Sequence, residues 1–194
     1  MAVRENLALV IDEVTQVLRH VDEGAVMKLA DGIMRAEKIF LFGQGRIGYV
    51  TRAFAVRLMH LGLDVHFVGD TTAPPITAKD LCLVNSGTGE TRFSYHVMEA
   101  AREAGATTAT MTAHPEARIG RMADLVVLIP APTKGERFDS GPSRPAKAGS
   151  RQPAGSLFEQ AVFVALDAIV LVLMERLGGP AVRDDMLKRH TNIE

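Results

Sequence analysis

A loop rich in hydroxyl groups and glycines is the most specific chemical feature of this sequence. Residues 85–91, NSGTGET, follow a short apolar run and precede a helical pattern. Hydroxyl side chains and bare backbone N–H groups packed this closely can all donate hydrogen bonds to one phosphate group. The alternative is helix capping, in which Ser86 or Thr88 satisfies free N–H groups at the helix start. Capping needs only one hydroxyl, so we favour phosphate binding.

A second glycine loop has the sequence GQGRIG at residues 43–48 and also joins an apolar run to a helical pattern. Its GxGxxG spacing is typical of dinucleotide-binding loops, and Asp70 follows where a ribose-binding carboxylate would lie, about 20 residues on. An NAD-dependent oxidoreductase is therefore one alternative function. A lone GxGxxG is a weak signal, because tight strand-to-helix turns use glycine for steric reasons alone.

Five short apolar runs that alternate with helical patterns indicate how these loops are positioned. The predicted strands cover 38–42, 64–68, 81–85, 107–111 and 125–129. Alternation of this kind predicts an α/β fold with a doubly wound parallel sheet. With strand order 2-1-3-4-5, both glycine loops face the crevice between strands 1 and 3. A pocket with one glycine loop on each side suits a phosphorylated small molecule.

The helical patterns surround this sheet, and we expect residues 1–194 to form a single domain. Two helices precede the first strand, and a long one closes the sequence; the predicted helices cover 3–20, 24–36, 46–61, 91–104, 116–122 and 156–177. Residues 131–155 are rich in proline and glycine and predict a long loop. A mobile surface loop is slightly favoured over a functional lid for this segment.

Composition and charge exclude several classes of function. The net charge is −1, so the protein has no bulk positive field that would hold nucleic acid. Cys82 is the only cysteine, which excludes an internal disulfide and a cysteine-rich metal site. The spacing of histidine, aspartate and glutamate suggests no metal site.

The sequence predicts neither a membrane span nor a signal peptide. Its most apolar stretch, residues 163–174, is about a dozen residues long and contains Asp167, whereas a span needs about 20 apolar residues. We therefore expect a buried helix there. The first 20 residues carry charges every few positions and lack a signal-peptide core. A cytoplasmic protein without a membrane partner is expected.

At these motifs the chain resembles the sugar isomerase (SIS) family, and within it the group that isomerises hexulose phosphates. The matching segments are 43–48, 53–62, 85–91, 123–130, 155–160 and 189–194. The whole family shares the hydroxyl-rich loop, whereas GSLFEQ and the RH-x-N-x-E ending are specific to the group. The resemblance implies a five-stranded flavodoxin-like SIS fold, a homo-oligomer (tetramer or dimer), and no cofactor or metal.

The resemblance also implies a reaction and the residues that bind its substrate. The reaction interconverts 3-hexulose 6-phosphate and fructose 6-phosphate through an enediol, in formaldehyde assimilation by the ribulose monophosphate pathway. The substrate and its phosphate would be bound by Gly43, Gly45, Arg46, Ser86, Gly87, Thr88, Gly89 and Thr91. Ile47 departs from the family pattern, which usually has serine at this position.

Glu159 is the candidate base that the resemblance implies, because one carboxylate beside two adjacent carbons can take a proton from one and return it to the other. Residues 156–159 also fit the S-x-x-E pattern of a capping box, which periodicity alone favours. His190 and His60 are the other catalytic candidates. The alternatives are a solvated terminus for His190 and a favourable helix C-terminal position for His60.

An isomerase of hexulose 6-phosphates is the leading hypothesis. A non-catalytic sugar-phosphate-binding module on the same fold is the main alternative, ahead of the oxidoreductase. GSLFEQ and the RH-x-N-x-E ending favour the enzyme, because a sensor needs only the phosphate loops. We also expect a homo-oligomer in which His190 lies near a neighbour's pocket, because the polar C-terminal segment has few apolar residues with which to anchor itself.

Overall fold

The computed structural model describes residues 2–133 and 150–193. Its strands form one all-parallel sheet in the order β2-β1-β3-β4-β5, which confirms the predicted doubly wound sheet. The strands are β1 (Ile39–Gly43), β2 (Val65–Phe67), β3 (Leu81–Asn85), β4 (Thr107–Thr112) and β5 (Leu125–Leu128). Every residue of β1 and β3 is buried, as expected for central strands covered on both faces.

Seven helices surround the sheet in the part of the chain that the structure describes. They are α1 (Val3–Leu18), α2 (Glu23–Arg35), α3 (Arg46–His60), α4 (Arg92–Glu103), α5 (Arg118–Met122), α6 (Ser156–Leu177) and α7 (Pro180–Lys188). Helices α1, α2 and α3 contact α6 on one side of the sheet, and α4 contacts α5 on the other. This division follows from right-handed crossovers that leave β1 and β3 in opposite directions.

The register of β1 and β3 brings the two glycine loops together. Gly43 and Asn85, the last residues of these strands, are direct partners in the ladder. The loops that follow them therefore start side by side at the carboxyl edge of the sheet. This is the switch point at which open α/β sheets bind ligands.

Helix α6 buries only one of its faces, whereas the sequence predicted a buried helix. Leu157, Ala161, Leu166 and Ile169 lie in the core, but the opposite face leaves Phe163, Val164 and Leu171 exposed. By length and composition α6 could cross a membrane, yet half of its most apolar window is buried within the protein. Its contacts with four other helices make it the core helix of this sheet-and-helix fold.

The carboxyl end contains a helix that the sequence analysis did not predict, although residues 187–193 are exposed. Residues 180–188 form helix α7, which Pro180 begins. Proline suits the first helical position because its missing N–H would have no helical partner there. Gly178 and Gly179 both have positive φ and make the turn between α6 and α7.

The predicted loop 131–155 falls largely on residues 134–149, which lie outside the described residues. Its last part, residues 150–155, is tied to α1 by the carboxylate of Glu13. This carboxylate accepts hydrogen bonds from Ser150 Oγ (2.6 Å), the Arg151 N–H (3.0 Å) and Gln152 Nε2 (2.9 Å). The start of α6 is thereby anchored to the N-terminal helix.

Candidate active site

A narrow cleft opens where β1 and β3 end, between the two glycine loops and the start of α6. Its volume is about 90 Å³, room for about three water molecules at about 30 Å³ each. Five hydroxyl side chains line the cleft: Ser86, Thr88, Thr91, Ser94 and Thr133. Its lining also includes Arg46, Ile47, Phe158 and Glu159. The cleft suits a small polar group with several hydrogen-bond acceptors.

The hydroxyl loop holds its own shape and leaves the start of α4 uncapped. Ser86 Oγ accepts the Gly89 N–H at 3.2 Å, and Thr88 Oγ1 accepts the Glu90 N–H at 3.3 Å. Thr91 is the N-cap of α4, but its side chain makes no capping hydrogen bond. The capping alternative therefore fails for α4. Its first N–H groups and the positive end of its dipole remain available to an anion.

Two glycines of this loop are closely packed against neighbouring residues. A Cβ atom on Gly87 would lie 3.1 Å from Phe158 Cδ1, a neighbour in the cleft. Gly89 has a φ of +65°, and a Cβ there would lie only 2.7 Å from the Cβ of Ala117. A side chain at position 89 would strain the backbone and clash with Ala117, whereas one at position 87 would require Phe158 or Thr133 to shift by a few tenths of an ångström.

The first glycine loop contributes one predicted residue, Arg46, directly to the cleft. Gly43 and Gly45, also predicted to bind, do not line the cleft and instead shape the turn. A Cβ on Gly48 would lie 2.5 Å from the Gly43 carbonyl oxygen, which shows how tightly α3 packs on β1. The steric explanation for the GxGxxG pattern therefore accounts for this loop. Asp70 forms an ion pair with Arg52 at 3.1 Å.

Asn85 links the two loops through a buried hydrogen-bond network. Its Nδ2 donates to Thr51 Oγ1 at 3.0 Å, and its Oδ1 accepts the Met111 N–H at 3.3 Å. Thr51 Oγ1 in turn donates to the Ile47 carbonyl at 2.8 Å. The end of β3 is thus fixed to both α3 and β4, and the cleft walls are held in one arrangement.

Glu159 lies at the mouth of the cleft and is paired with Arg46. Arg46 Nε donates to Glu159 Oε2 at 2.5 Å, and the carboxylate side chain is 11% exposed. The capping-box alternative does not hold, because α6 starts at Ser156 with Gly155 as its N-cap and no side-chain cap. The carboxylate of Glu159 is directed to the cleft side instead of the helix end.

The two histidine candidates lie away from the cleft of their own chain. His60 ends α3, which leads from the site for about 21 Å at 1.5 Å per residue. The His60 and His190 rings stack with centroids 4.8 Å apart, and Arg189 Nη1 donates to the His60 carbonyl at 3.1 Å. Burial lowers the pKa of His60, as do the nearby charges of His190 and Arg57. Neither ring lines the cleft, so the structure does not place them beside Glu159 within one chain.

Sequence reasoning missed several residues of the cleft. Ser94 lies three positions after Thr91, on the same side of the first turn of α4, so helical spacing could have found it. Thr133 Oγ1 lies 3.2 Å from His114 Nε2, and Thr133 is 80 or more residues from the first loop. No sequence pattern connects residues so far apart. Gln44 also lines the cleft and was read only as part of the glycine loop.

An apolar groove of about 880 Å³ adjoins the cleft and shares Arg46 and Glu159 with it. Helices α1, α3 and α6 form its walls, through residues that include Val10, Ile11, Val14, Leu18, Tyr49, Phe163 and Val164. Ile11 is 64% exposed and Tyr49 77%. Apolar surface of this extent is typical of an interaction site.

The described residues contain no group of three or more histidine, cysteine, aspartate or glutamate side chains that could hold a metal ion. Cys82 is buried, and burial raises the pKa of its thiol to about 12, so it is an unreactive core residue. The cleft itself is lined by hydroxyl, amide, carboxylate and guanidinium side chains.

Comparison with known proteins gives one consistent result. The SIS domain family model matches residues 32–141. A 3-hexulose-6-phosphate isomerase of Mycobacterium gastri is 42% identical over 192 residues, covering 99% of this chain and 92% of the relative. A protein of the same name from Bacillus subtilis is 34% identical, and both chains are covered completely.

A solved structure agrees with these relatives. A hypothetical protein of Methanococcus jannaschii superposes with a TM-score of 0.80 at 29% identity, covering 98% of this chain and 99% of that one. Its description infers a molecular function of 3-hexulose-6-phosphate isomerase. The chain belongs to the SIS domain family, in the group of relatives that carry the name 3-hexulose-6-phosphate isomerase.

Proposed function

We propose that this protein interconverts 3-hexulose 6-phosphate and fructose 6-phosphate. The observation that carries the proposal is the position of Glu159: a carboxylate paired with Arg46 at the mouth of a cleft lined with hydroxyl groups. The names of the full-length relatives support the same reaction. By that resemblance, the reaction serves formaldehyde assimilation through the ribulose monophosphate pathway.

The phosphate of the substrate would lie between the hydroxyl loop and the start of α4. Ser86, Thr88 and Thr91 provide hydroxyl donors, and Gly87 leaves room for close approach to the backbone. Each hydrogen bond to a charged group contributes about 1.5–3 kcal/mol. Several such bonds together account for binding of a phosphomonoester without a metal ion.

The chemistry needs one base near two adjacent carbons. Glu159 takes the proton from C2 of 3-hexulose 6-phosphate, and the electron pair forms an enediolate across C2 and C3. The proton returns to C3 while the C2 hydroxyl loses its proton and becomes the carbonyl, and the C3 oxygen gains one. Arg46 carries a permanent positive charge beside Glu159 and would stabilise the negative oxygen that develops. No hydride is transferred, so the reaction needs no redox cofactor.

The apolar groove supports a homo-oligomer, either a dimer or a tetramer. It adjoins the cleft, and its exposed wall of α6 is the face that the protomer leaves uncovered. A neighbouring subunit that covered this groove would shield the enediolate from water. His190, with His60 stacked on it, would reach a site only in such an assembly, as a residue that a neighbour supplies. A cytoplasmic location is proposed with this function.

Two alternatives share the fold and differ in ligand or chemistry. A sugar-phosphate sensor would bind fructose 6-phosphate without turnover, and an oxidoreductase would bind NAD. A thermal-shift panel separates the ligands, because a ligand that binds only the native state raises the melting temperature. Stabilisation by fructose 6-phosphate and none by NAD is expected. Stabilisation by NAD alone would overturn the proposal.

A turnover assay distinguishes an isomerase from a sugar-phosphate sensor. Fructose 6-phosphate is incubated with the protein, and 3-hexulose 6-phosphate is followed by NMR. Appearance of the 3-ulose at a rate proportional to protein concentration is expected. Binding in the thermal-shift panel without any 3-ulose would favour the sensor.

A further inference from the structure

Ser94 has a buried hydroxyl group that no residue of the described chain satisfies. The residue is 1% exposed, and its Oγ makes no hydrogen bond with the protein. A serine inside a helix commonly bonds back to a carbonyl one turn earlier. Ser94 does not, although it lies in the first turn of α4. A buried hydroxyl without a partner is rare in folded proteins and calls for an explanation.

The position of this hydroxyl supplies the explanation. Ser94 lines the same cleft as Ser86, Thr88 and Thr91. It lies within the helix start whose N-cap, Thr91, makes no side-chain cap. An unpaired hydroxyl and a set of uncapped N–H groups therefore meet at one end of a narrow cleft. All of these groups can donate hydrogen bonds, and an anion would accept several of them at once.

On α3 the cleft is lined by Arg46, a donor, and by Ile47, which supplies no hydroxyl. Ile47 is the second residue of α3, and its side chain is apolar and 8% exposed. The hydroxyl donors of the cleft thus come from the loop, from α4 and from Thr133. Ser94, on α4, adds a hydroxyl where Ile47 supplies none.

We propose that Ser94 binds the phosphate group of the sugar phosphate by donating a hydrogen bond from its hydroxyl. This assignment rests on the proposed function only in taking the cleft as the phosphate site. The ligand chemistry is that of a phosphate monoester dianion, whose oxygens are acceptors only. Phosphate binding then satisfies the Ser94 hydroxyl, which has no partner among residues 2–133 and 150–193.

The proposal predicts opposite effects of Ser94→Ala on binding and on stability. Removal of one hydrogen bond to a charged group should weaken the affinity for inorganic phosphate and for fructose 6-phosphate at least about tenfold. The melting temperature without ligand should stay unchanged or rise, because the substitution removes an unsatisfied hydroxyl. If Ser94 had only a structural role, Ser94→Ala would instead lower the melting temperature and leave the affinity unchanged.

Calorimetric titration tests whether Ser94 binds the phosphate. Inorganic phosphate and fructose 6-phosphate are each titrated into the wild type, Ser94→Ala, Ser94→Thr and Thr91→Val. Ser94→Thr keeps a hydroxyl and should restore part of the affinity. Weaker binding in Thr91→Val but unchanged binding in Ser94→Ala would overturn the role of Ser94 and leave the phosphate site in place. Unchanged binding in both would place the phosphate elsewhere and overturn the proposal as well.

Turnover of the wild type is measured in parallel and keeps the two proposals apart. A wild type that binds phosphate through Ser94 but does not isomerise the sugar would overturn the proposed function alone. A wild type that isomerises the sugar, beside a Ser94→Ala variant with normal phosphate affinity, would overturn the Ser94 assignment alone.

Discussion

Arg46 Nε and Glu159 Oε2 lie 2.5 Å apart and join residues that are 113 positions apart in the chain. Arg46 is the first residue of α3, and Glu159 lies in the first turn of α6. The pair lies where the narrow polar cleft meets the wide apolar groove. A sugar phosphate with its phosphate in the cleft would thus place its carbon chain against this pair.

Glu159→Gln should keep sugar-phosphate binding and abolish most of the turnover. The amide has nearly the same shape and can still accept a hydrogen bond, but it cannot take a proton from carbon. Calorimetry and the isomerisation assay are run on the same preparation. Because the capping box is absent, the melting temperature should change little. Near wild-type turnover in this variant would leave Glu159 with a structural role only.

Ile47→Ser tests the departure of this chain from the family pattern. A serine there could add one charge-assisted hydrogen bond, about 1–3 kcal/mol of binding free energy. The side chain is 8% exposed and lies in the core, so its loss should lower the free energy of unfolding by about 2–5 kcal/mol. We expect Ser86→Ala and Thr91→Val to weaken fructose 6-phosphate binding more than Ile47→Ser strengthens it. Calorimetry on the three variants checks this order, and unchanged affinity in both loop variants would contradict it.

Glu13→Gln should destabilise the protein in a pH-dependent manner. Burial by itself raises the pKa of Glu13, but the hydrogen bonds from Ser150, Arg151 and Gln152 and the charge of Arg151 lower it overall. A carboxyl group with a lowered folded-state pKa stabilises the protein above its ordinary value of 4.5, and this contribution is lost as the pH falls through the folded-state value. Urea unfolding at pH 7 and at pH 3 should show a difference from the wild type that shrinks at pH 3.

Asp12→Asn is the matched control for Glu13, since Asp12 lies on the same helix and, among the described residues, accepts a hydrogen bond only from Gln16, within that helix. Its effect on unfolding should be small at both pH values. Glu13→Gln should also lower turnover, because Glu13 anchors the segment that leads into α6 and so positions Glu159. An equal loss of stability at pH 3 and pH 7 would argue against the charged anchor.

Light scattering at micromolar concentration should give the mass of a dimer or a tetramer. Ile11→Asp should shift the protein to smaller species, because it places a charge in the apolar groove between α1 and α6. Leu128→Asp on β5 is the control, an exposed apolar residue outside the groove. A monomeric mass for the wild type would contradict both the proposed homo-oligomer and the proposed role of His190 at a neighbour's site.

The sheet and the two loops could be predicted because they depend on local patterns. Apolar runs bounded by glycine, aspartate or proline predicted the strands, and a hydroxyl-rich loop ahead of a helix predicted the cleft. The strand order was taken from a common doubly wound arrangement. At the majority of helix ends, the predicted and observed boundaries differ by one or two residues, as at the end of α1. Helix α7 was missed because Gly178, Gly179 and Pro180 were interpreted only as the end of α6, although proline also begins helices.

The contacts of the site depend on the folded chain and could not be predicted in the same way. Periodicity alone favours a cap for the S-x-x-E pattern at Ser156 and Glu159. Only the folded chain shows that Gly155 is the N-cap of α6 and that Glu159 pairs with Arg46 instead. The stacking of His60 on His190 joins two distant segments of the chain. The unpaired hydroxyl of Ser94 is visible only once its surroundings are known.

Deuterium exchange in fructose 6-phosphate tests the central claim most directly. The sugar is incubated in D2O with the wild type and, separately, with Glu159→Gln, and each carbon position is followed by NMR. If Glu159 moves protons between C2 and C3, the wild type should introduce deuterium at C3 of fructose 6-phosphate and form the 3-ulose, and Glu159→Gln should do neither. Binding of fructose 6-phosphate without exchange at C3 in the wild type, or equal exchange in both proteins, would contradict this account.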